Sequence, residues 1–269
     1  MHAGNTGTWT SSKDGRLKCF DPRTSKSSIE IHTSSPLLSL SVSASSRVVA
    51  AGTELHPTTT TDDDGNTACE TAAKILFYDI RNTAAPLKEF ADVHSDDITQ
   101  VVFHPAGENV LLSGGTDGLL CLYTLDAGMC QDESLYQVIK EESVHKAGFF
   151  GPAYEYVYCT THIETFALYM FEEADLIINY GQVRSRSSEH VTIDYLIDVI
   201  YDQVGQRLYL FTGSQTGNVG VFNSSLTDLE LTYTLNGGHS EIVRGISWDA
   251  QANSLVSGGE DGIIALWRN

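Results

Sequence analysis

Short apolar runs of four to seven residues, bounded by Gly, Asp, Asn or Pro, recur along the whole chain, and no stretch of useful length keeps a helical period. In the best-preserved stretch, His94-Ser95-Asp96-Asp97 precedes an apolar run from Ile98 to Phe103, and a second run follows from Val110 to Gly114. The turn Gly115-Thr116-Asp117-Gly118 then leads into Leu119 to Tyr123. Such runs suit strands joined by tight turns, so the pattern predicts an all-β chain.

The same phrase returns elsewhere. Ser12-Lys13-Asp14-Gly15 feeds a run ending in Phe20, and Gly259-Glu260-Asp261-Gly262 feeds one ending in Trp267. Weaker copies end in Tyr78, Tyr169 and Phe222. The six closing aromatics are 58, 45, 46, 53 and 45 residues apart. This period matches an array in which each unit of roughly 40–45 residues contributes four strands.

A Gly-His before the first strand, a Ser in the second, an Asp-Gly turn and a closing aromatic resemble the WD40 family. That resemblance implies a β-propeller in which His, Ser, Asp and Trp form a buried hydrogen-bonded tetrad. His239, Ser257, Asp261 and Trp267 match it position by position; His94, Ser113 and Asp117 repeat it with Tyr123 in the tryptophan place. A buried imidazole and carboxylate are tolerable only when each finds its partner. Thr216 stands where one turn Asp would be, and the copy from Cys159 to Tyr169 has no Asp-Gly turn. Packing is expected to hold those units.

His94 to Gln100, Asp194 to Ile197, Gly237-Gly238-His239 and Gly258 to Asp261, in that order, are similar to one seven-repeat subfamily, that of WD repeat-containing protein eighty-nine. Against its pattern the chain reads as one domain over residues 1–269, a propeller of the seven-bladed type that is incomplete at the N-terminus. It begins at Gly7 to Ser11, already in the second strand of a repeat, so four complete blades and two partial ones are expected. A truncated gene product explains this; so does a partner that inserts a strand into the gap.

Composition narrows the function. The chain carries 35 acidic and 16 basic residues, a formal charge of −19. Such a surface repels nucleic-acid phosphate and attracts basic segments. The expected partners are therefore proteins, basic ones such as ribosomal proteins or histones among them, with no direct nucleic acid, no membrane and no small-molecule ligand. The five cysteines form no CxxC pair and are read as small apolar residues. With neither a signal peptide nor an apolar span, an intracellular, cytoplasmic or nuclear, non-secreted protein is expected.

Candidate contact residues follow from the repeat. An acidic Thr/Asp-rich insertion at about 54–73, with Asp62, Asp63 and Asp64, joins the second and third strands of its unit and is expected as a surface loop. Asp96, Asp97, Glu141, Glu142 and Glu241 lie on connections that precede first strands, on the propeller face that the resemblance calls the top. Nucleophile elbows, phosphate-binding loops and metal-binding helices are missing, so no catalytic residue, metal or cofactor is assigned. The basic loop Arg184-Ser185-Arg186-Ser187-Ser188 offers phosphorylation as a further reading. The function expected is a non-catalytic scaffold or adaptor for protein assembly; an acidic chaperone or reader for basic proteins, or a propeller completed by a partner's strand, is the alternative.

Overall fold

The computed structural model describes residues 2–4, 7–61, 67–125, 128–249 and 252–268. It divides into two compact units, Met1–Gly148 and Phe149–Asn269. The described residues form six antiparallel sheets.

In the first unit, β1 (His2–Gly4), β2 (Gly7–Ser12), β3 (Arg16–Asp21) and β4 (Lys26–His32) pair in chain order. This corrects the expected partial first blade: the sheet has four strands, because His2 pairs with Trp9 and Gly4 with Gly7. Three residues without alternation give no strand signal of their own, and backbone pairing to β2 makes the strand.

The second sheet holds β5 (Leu37–Val42), β6 (Val48–Thr53), β7 (His56–Thr61), β8 (Thr67–Asp79) and β9 (Lys88–His94). Its order is β5-β6-β8-β9, with β7 on the first half of β8. The insertion expected as a loop is thus a β-hairpin, paired from His56↔Ala72 to Thr61↔Thr67. Threonine is β-branched and suits an extended backbone, so ladder hydrogen bonds form without an apolar face. The third sheet runs β10 (Gln100–Phe103), β11 (Val110–Gly114), β12 (Leu119–Thr124) and β13 (Leu135–Lys140), with a short helix α1 (Gln131–Ser134) leading into β13.

The unit boundary falls inside β14 (Val144–Phe150), which heads a sheet with β15 (Tyr156–Thr161), β16 (Thr165–Met170) and β17 (Leu176–Gln182). A 3-10 turn, Val183–Arg186, leads on to β18 (Tyr195–Asp202), β19 (Arg207–Gly213), β20 (Val219–Ser224) and β21 (Leu229–Leu235). The last described sheet has three strands, β22 (Val243–Asp249), β23 (Ser254–Gly259) and β24 (Ile264–Arg268).

Alternate residues of inner strands point into the sheet-to-sheet cores, as in β10, where Val101 and Phe103 are buried and Gln100 and Val102 only partly so. Within the first unit one contact recurs. Ile98 and Val144, fully buried where the chain enters its next sheet, sit above Gly52 and Gly114 at the end of the preceding sheet's second strand. A Cβ at Gly114 would lie 2.6 Å from Val144 Cγ1, so only glycine lets Val144 sit this close. Polar bonds reinforce the seam: Ser39 Oγ donates to Ile98 O at 2.9 Å, and Thr99 Oγ1 donates to Val144 O at 2.7 Å.

Candidate functional site

The turn between β11 and β12 organises the first unit's chemistry. His94 ends β9, and its side chain is fully buried. Its Nδ1 lies 3.1 Å from both Asp117 oxygens, and its Nε2 lies 2.7 Å from Ser113 Oγ, which is 3.0 Å from Tyr123 Oη. Asp117 also accepts the backbone N–H of Ser95 at 2.9 Å and of Leu119 at 3.0 Å. One carboxylate thereby pins the turn to the strand before it. Burial works against the charged carboxyl of Asp117, but the His94 bond and the two N–H groups hold its pKa below the ordinary value.

The second unit repeats this geometry. His239 Nδ1 is 3.2 Å from both Asp261 oxygens, its Nε2 is 2.8 Å from Ser257 Oγ, and Trp267 Nε1 donates to Ser257 Oγ at 2.8 Å. An indole N–H can only donate and a carboxylate can only accept, and these two ends fix the direction of the chain through a neutral imidazole. Ser257 accepts from Trp267 and donates to His239 Nε2, leaving Nδ1–H to donate to Asp261. Backbone N–H groups of Ser240 and Ile263, with the His239 bond, keep the Asp261 pKa low. These arrangements hold protons in place and expose no reactive atom.

Where the phrase departs, other bonds serve. Thr216 pairs with Ser214 at 3.0 Å, and Ser214 Oγ takes the Asn218 N–H at 3.1 Å. In the fourth sheet Thr161 and Thr165 hydroxyls meet at 2.6 Å, and Phe166 stacks on Tyr180 at 5.1 Å.

The candidate contact acids fall into three groups. Asp62, Asp63 and Asp64 lie outside the described residues. Asp96, Asp97, Glu141 and Glu142 all flank the β11–β12 turn: Thr116 N donates to Asp97 O at 2.9 Å, and Glu141 N donates to Gly118 O at 2.8 Å. Asp97 is partly committed, since its Oδ1 accepts Leu55 N at 2.7 Å at the base of the hairpin. Asp96 Oδ1 accepts Asp97 N, and Glu142 is exposed. Burial and the neighbouring Glu142 charge push the Glu141 carboxyl up, against a backbone bond from Glu142. Glu241 belongs to the second unit and is exposed beside Ile242, whose carbonyl accepts Glu260 N. The basic loop is already paired: Arg184 meets Glu164 at 3.0 Å and Arg186 meets Asp228 at 2.5 Å.

Sequence reasoning missed a second turn device. Asp21 and Asp79 each follow a closing aromatic and grip the arginine two residues on, through both its backbone N–H and its guanidinium. The Arg81 contact lowers the Asp79 pKa to about 2. The signal was available as the recurring spacing Phe20-Asp21-Pro22-Arg23 and Tyr78-Asp79-Ile80-Arg81. Cys19, Cys121 and Cys159 are buried, and burial pushes Cys121 up to about 12, whereas Cys130 is exposed ahead of α1. No group of three metal-ligating side chains, and no helix long and apolar enough to cross a membrane, occurs among the described residues.

Four-stranded antiparallel sheets succeeding one another along the chain, with His-Ser-Asp-aromatic tetrads binding turn to strand, define a β-propeller of repeated blades. Residues 85–124 and 229–268, which contain both tetrads in full, match the family described as WD domain, G-beta repeat, and the chain is a WD40 repeat protein. It is similar over 98% of its length, at 28% identity, to WD repeat-containing protein 89 homolog of Dictyostelium discoideum, of which it covers 69%. It is 31% identical over 94% of its length to an uncharacterized WD repeat-containing protein of Saccharomyces cerevisiae, covering 62% of that protein. With WD repeat-containing protein GTS1 of Arabidopsis thaliana it shares 32% identity over 73% of its length and 53% of the relative's. The chain thus spans between about half and seven-tenths of the length of these relatives.

Proposed function

We propose that this protein is a non-catalytic interaction scaffold whose first unit receives Lys- and Arg-rich segments of partner proteins on the acidic rim around the β11–β12 turn. One observation carries the reading: the two connections that bear Asp96 and Asp97, and Glu141 and Glu142, are bonded to one turn, Thr116 N donating to Asp97 O and Glu141 N to Gly118 O. Backbone held by the turn reduces the ordering that binding must impose on these residues. Glu141 and Glu142 are adjacent like charges, and the first is half-buried. A cation placed there relieves their repulsion, which free solvent does less well. The net charge of −19 adds long-range attraction for a basic partner. In the tetrads every titratable group is spent on structure, which favours a scaffold over an enzyme.

The test is a calorimetric titration with a synthetic Lys/Arg-rich peptide at low and at high salt, with a poly-glutamate peptide as control. Binding at low salt that weakens steeply as salt rises is expected. An equal response to both peptides, or none to either, refutes the reading.

A further inference from the structure

Between the fourth and fifth sheets, wholly inside the second unit, lies an open cleft of about 240 Å³. It sits at the strand ends where β14 turns into β15, β18 into β19 and β20 into β21. Its walls are apolar: Phe150, Tyr156, Leu168, Ile177 and Leu208 line it, and Leu226 forms a lip that is 68% exposed. Val204, in the β18–β19 connection, is 76% exposed. Exposed large aliphatics beside an open apolar hollow mark a contact surface more than a solvated one.

The size of the cleft decides what fits. Small-molecule sites run to roughly 300–1,000 Å³, so this hollow suits a single large side chain. Its frame is acidic. Residues 151–156, 171–175, 202–208 and 224–228, which make up the surrounding connections, carry Glu155, Glu172, Glu173, Asp175, Asp202 and Asp228 against Arg207 alone. Asp228 is neutralised by Arg186, which leaves the acidic excess standing. The frame is also stiff: Ser225 Oγ takes the Asp228 N–H, Tyr180 Oη bonds Ser224 and Ser225, and Asp202 Oδ1 takes Val204 N. Tyr201 also lines the cleft, its hydroxyl buried and without a hydrogen-bond partner among the described residues.

We infer that this cleft docks an extended segment of a partner protein, one bulky aliphatic or aromatic side chain filling the hollow while Lys or Arg residues beside it meet the acidic frame. This surface is distinct from the rim around the β11–β12 turn and does not depend on it: its affinity rests on an apolar anchor and survives salt that abolishes a purely ionic contact.

The experiment is a selection of random displayed 12-residue peptides on the folded chain at high salt, followed by fluorescence-polarisation titration of the winners. Leu226→Arg alters only an exposed side chain, so it leaves the fold intact; Leu135→Arg, exposed on β13, is the control. Winners with a bulky apolar residue next to Lys or Arg, losing roughly tenfold or more on Leu226→Arg and nothing on the control, bear the inference out. Winners that bind Leu226→Arg as well as the unaltered chain overturn it, as does a selection without winners. Winners displaced only by neutralising Asp96, Glu141 and Glu142 overturn it too, while upholding the rim. Self-association that Leu226→Arg abolishes would make a second copy the occupant and would likewise overturn it.

Discussion

Replacing Asp117 tests how the sheets are held. The carboxylate receives three donors: His94 Nδ1 at 3.1 Å, Ser95 N at 2.9 Å and Leu119 N at 3.0 Å. Ser95 is exposed, so in Asp117→Ala its N–H finds water. The His94 ring is fully buried and Leu119 is half-buried, and neither finds a replacement. Two stranded donors at about 1–3 kcal/mol each put the loss near 3–4 kcal/mol. At about 2–4 °C per kcal/mol for a chain this long, the melting midpoint falls by about 10 °C. Asp117→Asn recovers little, because a carboxamide offers one acceptor oxygen and presents two hydrogens to groups that are themselves donors. Scanning calorimetry and urea titration of the two variants beside the unaltered chain measure this. An Asn variant as stable as the parent, or an Ala variant within about 1 kcal/mol of it, would refute the reasoning.

Four further outcomes are expected. Asp117 and Asp261 have pKa values held below the ordinary 3.8 in the fold, so their stabilisation is complete above that value and is lost as pH falls through the lowered ones; acid unfolding of Asp117→Asn should lack its share of this slope. Gly114→Val drives a branched side chain into Val144, 2.6 Å from the built Cβ, and should cost about 1–3 kcal/mol or more by denaturant midpoint. Trp267→Phe removes the donor to Ser257 Oγ and should cost about 1 kcal/mol beyond the loss of ring contact, whereas Tyr123→Phe should cost about the same at Ser113. Carboxyl titration by NMR should find Asp79 near pH 2, rising part of the way to the ordinary range in Arg81→Ala, which keeps the backbone N–H bond.

The sequence told most where a residue's role recurs. His94, Ser113 and Asp117 are recognisable because His239, Ser257 and Asp261 stand at matching intervals, and a bonded network needs the same groups at the same spacing. Repetition could not reveal β1, which is three residues long and owes its existence to pairing with β2. Nor could it reveal the hairpin of β7 and β8, where threonine-rich segments give no apolar alternation and the ladder alone makes the strands. Acid positions on the connections were legible as composition, but that Asp97 is tied to Leu55 depends on the hairpin's path. The cleft beside Leu226 draws its walls from Phe150 to Leu226, through connections remote in sequence, so no local pattern announces it.

The account's central claim is tested most directly by the affinity of a Lys/Arg-rich peptide for a chain carrying Asp96→Asn, Glu141→Gln and Glu142→Gln together, with Asp97 left in place to hold the hairpin. Exposed ion pairs contribute about 0.2–1 kcal/mol each, so the three together predict a loss of about tenfold at low salt and almost none at high salt. Equal affinity of the variant and the unaltered chain at low salt would contradict the claim.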